Sequence, residues 1–149
     1  MSISPLNAHL GYWLRFVSNQ VSHAFSIKVA ERGVTVAEWV VLRELFDADA
    51  VMPSALAERL GLTRGAISKL ADRLLAKELI TREADEDDRR AQSLALTAAG
   101  RTLTPILAGL ADTNDEEFFG TLDPAVRATI ENAMKDIACA KGLHAAPID

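Results

Sequence analysis

This sequence lacks the cysteine pairs of a disulfide framework and the long apolar runs of a membrane span. It contains a single cysteine, Cys139, which excludes an internal disulfide and fits a reducing compartment. No run of about 18 apolar residues is present, so no membrane-spanning helix is predicted. The residues before Arg15 lack the basic start and the long apolar core of a secretory signal. We therefore expect a cytoplasmic protein.

Catalytic and metal-binding constellations are equally scarce. Three histidines are scattered along the chain, and His9 and His23 have no companions at metal-ligand spacing. No convergent acid, base or nucleophile set accompanies them, so neither an enzyme nor a metal or cofactor site is predicted. Cys139 follows the apolar residues Ile137 and Ala138, where a cysteine is more often inert than a redox sensor.

What is present is the composition of a folded protein. Hydrophobic residues make up 49% and charged residues 25% of the 149 residues, which fits one domain with its own core over residues 1–149. The net charge of −5 taken alone argues against a nucleic-acid partner. Its distribution is uneven, because residues 62–79 hold four cations and two acids, whereas residues 85–88 are all acidic. Charge therefore permits a DNA partner without requiring one.

Apolar spacing of three and four residues, together with start and stop residues, predicts six helices. Pro105 lies about two turns into the fifth and is expected to kink or delay it, because proline cannot donate to the carbonyl of Arg101. The predicted boundaries are Ser4-Pro5 to Gly33, the capping box Thr35–Glu38 to Phe46, Pro53 to Gly61, Arg64 to Lys77 after the cap Thr63, a helix around residues 103–118, and a last helix opened by Asp123-Pro124.

Between the fourth and fifth helices the apolar period changes from helical to alternating. Residues 80–83 and 93–97 predict two short strands, and the polar residues 84–90 between them predict a hairpin tip. The expected fold is mainly α with a small β-hairpin.

Residues 54–77 are the most informative segment. A tight corner of two helices needs a small residue at the crossing, a glycine at the turn and an apolar plug, and Ala57, Gly61 and Ile67 meet these needs. Short polar and cationic groups on the outer face of the second helix are what the major groove of DNA admits. The outward-facing residues are Arg64, Gly65, Ser68, Lys69, Asp72 and Arg73.

The corner alone leaves the function open, because similar corners occur in proteins that never touch DNA. The hairpin that directly follows this helix, with residues 84–90 at its tip, is a wing, and it favours DNA. Its Arg89 and Arg90 can enter the minor groove, where the negative potential is strongest. The alternative is that these arginines only pair with Asp87 and Asp88 in a solvated loop. The rival function is a winged-helix protein-interaction module without direct DNA binding.

Five short motifs follow one another along the chain: Leu56–Leu62, Asp72–Leu74, Leu79–Arg82, Asp88–Arg90 and Leu94–Gly100. In this order they resemble the MarR family of bacterial transcriptional regulators, and the order of elements agrees over nearly the whole chain. The resemblance implies a winged helix-turn-helix with dimerisation helices at both ends. Residues 35–100 would form the DNA-binding lobe, and residues 4–32 and 101–145 the dimerisation helices.

The resemblance also implies which residues contact DNA. The resemblance makes the helix from Arg64 to Lys77 the recognition helix. Its positions that match the family's base and phosphate contacts are Arg64, Ser68, Lys69 and Arg73. In the hairpin, Arg90 matches the wing arginine and Asp88 the acid that orients it. The complete candidate DNA-binding set is Thr63, Arg64, Gly65, Ser68, Lys69, Arg73, Arg89 and Arg90.

Two departures from the family's pattern bear on this set. Glu78 stands where the family usually has glycine, so the recognition helix is expected to end differently. The four acids at residues 85–88 would repel phosphates unless they are paired.

A homodimer is expected, because the first and last helices carry more apolar surface than the helices between them can cover. Two recognition helices related by a two-fold axis would read a pseudo-palindromic operator with half-sites about 10 bp apart.

The resemblance further implies a regulator, by default a repressor, that a small aromatic or phenolic effector releases from DNA. The effector would bind between the dimerisation helices and the DNA-binding lobe. The candidate lining residues are Tyr12, Trp13, Arg15, Phe16 and Trp39. The alternative for each aromatic residue is an ordinary place in the core.

Overall fold

The computed structural model describes residues 1–84, 87 and 92–149. Its described part is mainly helical, with one antiparallel hairpin, as the sequence predicts. The elements in chain order are a 3-10 turn at Leu6–Ala8, α1 Leu10–Ala30, α2 Val36–Phe46, α3 Pro53–Leu60, α4 Arg64–Ala76, β1 Ile80–Ala84, β2 Gln92–Leu96, α5 Ala98–Phe119 and α6 Pro124–Ala140.

Side-chain caps begin four of the helices. The Thr35 hydroxyl accepts from the Glu38 amide at 3.1 Å while the Glu38 carboxylate accepts from the Thr35 amide at 3.2 Å, which confirms the capping box of α2. Thr63 caps α4 and Asp123 caps α6, as predicted. Thr97 caps α5 instead of ending β2, because its hydroxyl accepts from the Gly100 amide.

Four of these helices are followed, within three residues, by a residue in the left-handed backbone region. These residues are Gly33 after α1, Gly61 after α3, Glu78 after α4 and Gly142 after α6. In each case the amide of that residue bonds the carbonyl three residues back, and the next amide bonds the carbonyl five residues back. This pattern satisfies carbonyls that the last helical turn leaves free. Glu78 adopts it with a φ of 58°, so α4 ends like the others in spite of lacking glycine.

Replacing Glu78 by glycine is expected to stabilise the fold. The left-handed conformation costs a residue with a side chain roughly 1–2 kcal/mol, and the greater freedom of glycine in the unfolded chain offsets part of the gain. We expect Glu78→Gly to raise the free energy of unfolding by about 0.5–1 kcal/mol in urea titrations. The control Glu83→Gly, in β1, should lower it. A Glu78→Gly protein no more stable than the parent would contradict this reading of the turn.

The core lies in the lobe built by α2, α3, α4 and the hairpin, and α1 and α5 add Val29 and Leu107 to it. Ile80 pairs with Leu96 at one end of the hairpin and Ala84 with Gln92 at the other. Val51 adds a one-residue bridge by exchanging backbone hydrogen bonds of 2.8 and 2.9 Å with Leu94. The largest buried apolar side chains are Leu42, Leu45, Leu56, Ile67, Leu74, Ile80, Leu94 and Leu107.

Two predicted features of the helices are wrong. The first α-helix does not begin at Ser4-Pro5: a 3-10 turn precedes it and α1 starts at Leu10, while the Trp13 indole donates to the Asn7 carbonyl across the junction. Pro105 does not delay α5, which runs from Ala98 through the proline. The other predicted effect of Pro105, a kink in the helix, stays a prediction. Pro105 and Arg101 are both exposed, so water can satisfy the carbonyl that proline leaves free.

No helix in the described ranges is long and apolar enough to cross a membrane.

Candidate nucleic-acid interface

Helix α4 has one buried face and one exposed face. Ile67, Leu70 and Leu74 are at most 5% exposed and anchor the helix in the core of the lobe. The turn before α4 is held by Gly61, whose left-handed backbone lets α3 end just ahead of the cap at Thr63. The inward face predicted from the sequence is confirmed, and the opposite face of α4 is therefore turned outward.

The outward face of α4 carries the predicted polar and cationic residues. Arg64, Ser68, Lys69 and Arg73 are all exposed. Within residues 1–84, 87 and 92–149, none of these three cations forms a salt bridge. Their charges are thus available to an anionic partner.

The one acid within α4 is neutralised by a neighbouring strand. Asp72 accepts a hydrogen bond from the guanidinium of Arg82 in β1 at 2.8 Å. This contact lowers the local negative charge on the face that carries Lys69 and Arg73. The sequence alone does not predict this ion pair, because nothing in a linear pattern brings position 82 beside position 72.

The N-terminus of α4 is also open to an anion. The Thr63 hydroxyl accepts from the Ala66 amide at 3.1 Å, which makes this residue first of all a helix cap. A Cβ atom on Gly65 would meet nothing closer than the Thr63 hydroxyl at 3.9 Å, so internal packing does not require glycine there. Helix N-termini attract phosphate through free amides and the helix dipole. Close approach of another molecule is a reason for glycine at this position.

The predicted wing is described only at its base. Strand β1 is described up to Ala84 and β2 from Gln92. The candidate residues Asp88, Arg89 and Arg90 lie outside the described residues.

An ion pair between the exposed Lys77 and a buried carboxylate fixes the other end of α4. Glu38 is 1% exposed, and both of its carboxylate oxygens accept from the ammonium of Lys77, at 2.7 and 2.9 Å. The same ammonium donates to the carbonyl of Gly33 at 2.8 Å. Lys77 thus ties α4 to the start of α2 and to the turn before it. The capping box identified Glu38 as a helix cap but gave no sign of this second role.

Removing the cation of this pair is expected to cost stability. In Lys77→Met the carboxylate of Glu38 stays buried without its charged partner, which should lower the free energy of unfolding by about 2–4 kcal/mol. Denaturant titration measures the change. The matched control is Lys135→Met, which breaks an exposed pair with Glu131 and should change stability by less than about 0.5 kcal/mol. Equal effects of the two substitutions would contradict a structural role for Lys77.

A cleft of about 330 Å³ is lined by residues of α1 and α5 on one side and of α2, which belongs to the lobe, on the other. Its apolar wall includes Phe25 and Trp39, whose rings meet edge to face at 6.4 Å between centroids. Its polar wall includes Ser22, Asn114 and Asp115. The cleft is large enough for a small ligand, since ligand sites occupy roughly 300–1,000 Å³.

Of the five residues predicted to line an effector pocket, only Trp39 borders this cleft. Tyr12, Trp13 and Phe16 instead form an exposed cluster of rings near the start of α1, with centroids 5.3 to 6.3 Å apart. Arg15 is exposed beside them. Helical spacing placed these residues on one helix but could not show which turns of α1 reach α2.

Helices α1 and α6 leave apolar side chains uncovered. Helix α6 has no buried residue, and α1 has one, Val29. Along α6 the side chains of Val126, Ile130, Met134 and Ile137 repeat at helical spacing and are 45% to 56% exposed. The corresponding exposed residues before and within α1 are Leu6, Leu10, Tyr12, Trp13, Leu14, Phe16, Val17 and Ile27.

Comparison with known sequences gives one consistent family. The model of the MarR family matches residues 34–91. The transcriptional regulator HosA of Escherichia coli is 29% identical over 89 residues, which are 60% of this chain and 66%, just under two thirds, of HosA. The HTH-type transcriptional regulator MgrA of Staphylococcus aureus is 31% identical over 108 residues, which are 72% of this chain and 74% of MgrA.

Comparison with solved structures agrees. BpsR of Bordetella bronchiseptica, whose DNA binding is regulated by 6-hydroxynicotinic acid, superposes with a TM-score of 0.79 at 24% identity over 92% of this chain and 98% of BpsR. CouR of Rhodococcus jostii RHA1, solved with bound p-coumaroyl-CoA, gives a TM-score of 0.78 at 25% identity over 91% and 96% of the two chains. The predicted winged helix-turn-helix fold is confirmed.

Proposed function

This chain belongs to the MarR family of transcriptional regulators, and we propose that it binds double-stranded DNA as a homodimer and acts in the cytoplasm as a ligand-responsive repressor. The relatives are regulators and not enzymes, so no catalytic residue is assigned. The observation that carries the proposal is the exposed face of α4, where Arg64, Lys69 and Arg73 have no salt-bridge partner among the described residues.

DNA contact is assigned to α4 and to the wing. A helix with small and cationic outward residues enters the major groove, where bases are read, and arginines of a hairpin reach the adjacent minor groove. Residues 35–100 form the DNA-binding part of this proposal, with Asp88 supporting the wing. The assigned contacts are Thr63, Arg64, Gly65, Ser68, Lys69, Arg73, Arg89 and Arg90.

The homodimer is supported by the uncovered apolar faces of α1 and α6. Apolar patches of this kind on a single chain mark interaction surfaces, and a two-fold pair is the commonest way to cover them. Residues 4–32 and 101–145 are assigned to this interface. A two-fold pair places two copies of α4 about one helical turn of DNA apart, so the operator is a pseudo-palindrome with half-sites about 10 bp apart.

The effector is assigned to the cleft that Trp39 and Phe25 border. The ligands of CouR and BpsR both contain an aromatic ring, which suits the apolar wall. Asp115 and Asp149 line the polar side of the cleft. A carboxylate oxygen of Asp115 lies 3.4 Å from a guanidinium nitrogen of Arg127. These carboxylates can accept a hydrogen bond from a phenolic hydroxyl of a ligand, whereas they would repel a carboxylate on the ligand. We therefore propose a small phenol as the effector, and release of DNA as the result of its binding.

Selection from a random library of DNA duplexes tests the proposal. The purified protein is expected to enrich a pseudo-palindromic motif, called the selected duplex below. Its affinity, measured by fluorescence anisotropy, should fall by about a factor of 10³ to 10⁵ between 50 and 200 mM salt if six to ten phosphates are contacted. Failure to enrich any motif would instead favour the protein-interaction module.

The wing can be tested separately from α4. Arg90→Ala is expected to weaken binding of the selected duplex by roughly 1–3 kcal/mol, the range for losing an arginine that contacts DNA bases. Anisotropy measures the affinity, and sedimentation should report an unchanged dimer. An unchanged affinity would show that Arg90 does not contact the DNA, and it would favour the alternative of a protein-interaction module.

A further inference from the structure

The segment after α6 folds back onto the DNA-binding lobe. The Ala146 amide donates to the carbonyl of Leu60, the last residue of α3, at 2.8 Å. Next to it, a Cβ atom on Gly61 would stand 2.8 Å from the Ala145 Cα and 2.9 Å from two atoms of His144. Ala146 is half-buried against the core of the lobe. Residues 143–149, called the strap below, are therefore held against the end of α3 and the turn that follows it.

The strap lines two cavities at once. Ala146, Pro147 and Asp149 form part of the wall of the cleft that contains Trp39. Ile148 and Asp149 also line a second cavity of about 330 Å³, whose other lining residues include Lys69 and Arg73 of α4. The strap thus lies between the cleft and the cationic face of α4.

The negative charge of the strap repels a DNA phosphate. Asp149 is its one acid, and it lines the same cavity as Lys69 and Arg73, which have no salt-bridge partner in the described ranges. A carboxylate at this place lowers the positive potential that an approaching phosphate meets. The same segment also occupies volume beside the helix that would enter the major groove.

We propose that the strap, residues 143–149, is an autoinhibitory device: docked on the lobe, it weakens DNA binding through Asp149 and through its bulk beside α4. This rests on the proposed function, since DNA is the partner that the strap opposes. A ligand in the cleft touches Ala146 and Pro147 as well as Trp39, so it favours the docked strap. Because a ligand that prefers one state shifts the population toward it, binding in the cleft lowers DNA affinity without touching DNA.

Docking is tested without DNA. In a Trp13→Phe background, Trp39 is the only tryptophan and reports on the cleft. Ala146→Pro removes the amide that bonds Leu60, and Ile148→Ser removes the apolar side chain at the second cavity. The double variant of the full chain is expected to undock the strap and to shift the Trp39 emission to longer wavelength, with an unchanged far-ultraviolet circular dichroism spectrum. An unshifted emission would overturn docking in solution.

Inhibition is tested by affinity for the selected duplex. Asp149→Asn is expected to tighten binding about two- to fivefold, the range of one exposed charge near its partners. The undocking double variant should tighten it at least as much. The control Asp136→Asn removes an equal charge from α6, outside its apolar stripe, and should leave the affinity unchanged.

The outcomes separate this proposal from the proposed function. Unchanged affinity of both strap variants, in a parent protein that binds the selected duplex, overturns autoinhibition alone. A parent that binds no duplex overturns the proposed function and the autoinhibition with it, while the Trp39 emission still decides whether the strap is docked. If Asp136→Asn tightens DNA binding as much as Asp149→Asn does, net charge alone explains the effect. That result would also overturn the proposal.

Discussion

Replacing Lys69 and Arg73 together by glutamate is expected to weaken binding of the selected duplex by at least about a thousandfold. Each cation lies on the exposed face of α4 without a salt-bridge partner in the described part of the chain. The proposed homodimer would carry each of them twice. Each lost contact costs about 1–3 kcal/mol, and the introduced acids also repel phosphates. Fluorescence anisotropy at constant salt measures the loss.

The substitutions should leave the fold intact, because both side chains point away from the core. The control is Lys135→Glu with Lys141→Glu, which makes the same change in net charge on and just after α6. Its affinity should stay within about threefold of the parent, because charges farther than about 10 Å from the DNA are screened at 0.1 M salt. Equal losses in the two double variants would show that net charge, and not the face of α4, governs binding.

Placing two aspartates in the apolar stripe of α6 is expected to abolish the dimer. Ile130→Asp with Met134→Asp would bury four carboxylates in a two-fold interface, at a cost of several kcal/mol for each unpaired charge. Sedimentation at micromolar concentration should then report half the parent mass. Affinity for the selected duplex should fall by about 10²- to 10⁴-fold, because a single lobe loses the gain from two linked contacts.

The control for the dimer places the same charges on the other side of α6. Ala128 and Asn132 are exposed and lie roughly opposite the stripe at 100° of rotation per residue. Ala128→Asp with Asn132→Asp should leave both mass and affinity near those of the parent. A stripe variant that remains dimeric would contradict the assignment of α6 to the interface.

Local chemistry explains what the sequence predicted well. The capping box at Thr35, the cap at Thr63 and the Asp123-Pro124 start each depend on residues three or fewer positions apart, and the structure confirms all three. The buried and exposed faces of α4 follow from helical spacing in the same way. The candidate interface on α4 was therefore predictable from the sequence.

Contacts between distant residues explain what the sequence did not predict. Lys77 meets Glu38 across 39 positions, and Ala146 meets Leu60 across 86. Either contact needs the packing of several elements before the two residues come close. The cleft that Trp39 borders shows the same limit, because the tertiary packing of α1 on α2 decides that Phe25, and not Phe16, faces Trp39.

DNA cleavage from a reagent on α4 tests the central claim most directly. Cys139 is the single cysteine, so Cys139→Ser with Ser68→Cys leaves one thiol, on the outward face of α4. An iron–EDTA reagent attached to that thiol cuts the nearby deoxyribose backbone of the bound selected duplex. The same reagent on Cys139 of the parent protein serves as the control, because it stands on α6.

If α4 of each protomer enters the major groove, the reagent at position 68 should cut the selected duplex in two clusters about 10 bp apart, related by the two-fold axis of the motif. The reagent at Cys139 should produce no such clusters. Cleavage from position 68 no stronger than from Cys139, or confined to a single cluster, would contradict the reading of this chain as a two-fold pair that holds DNA through α4.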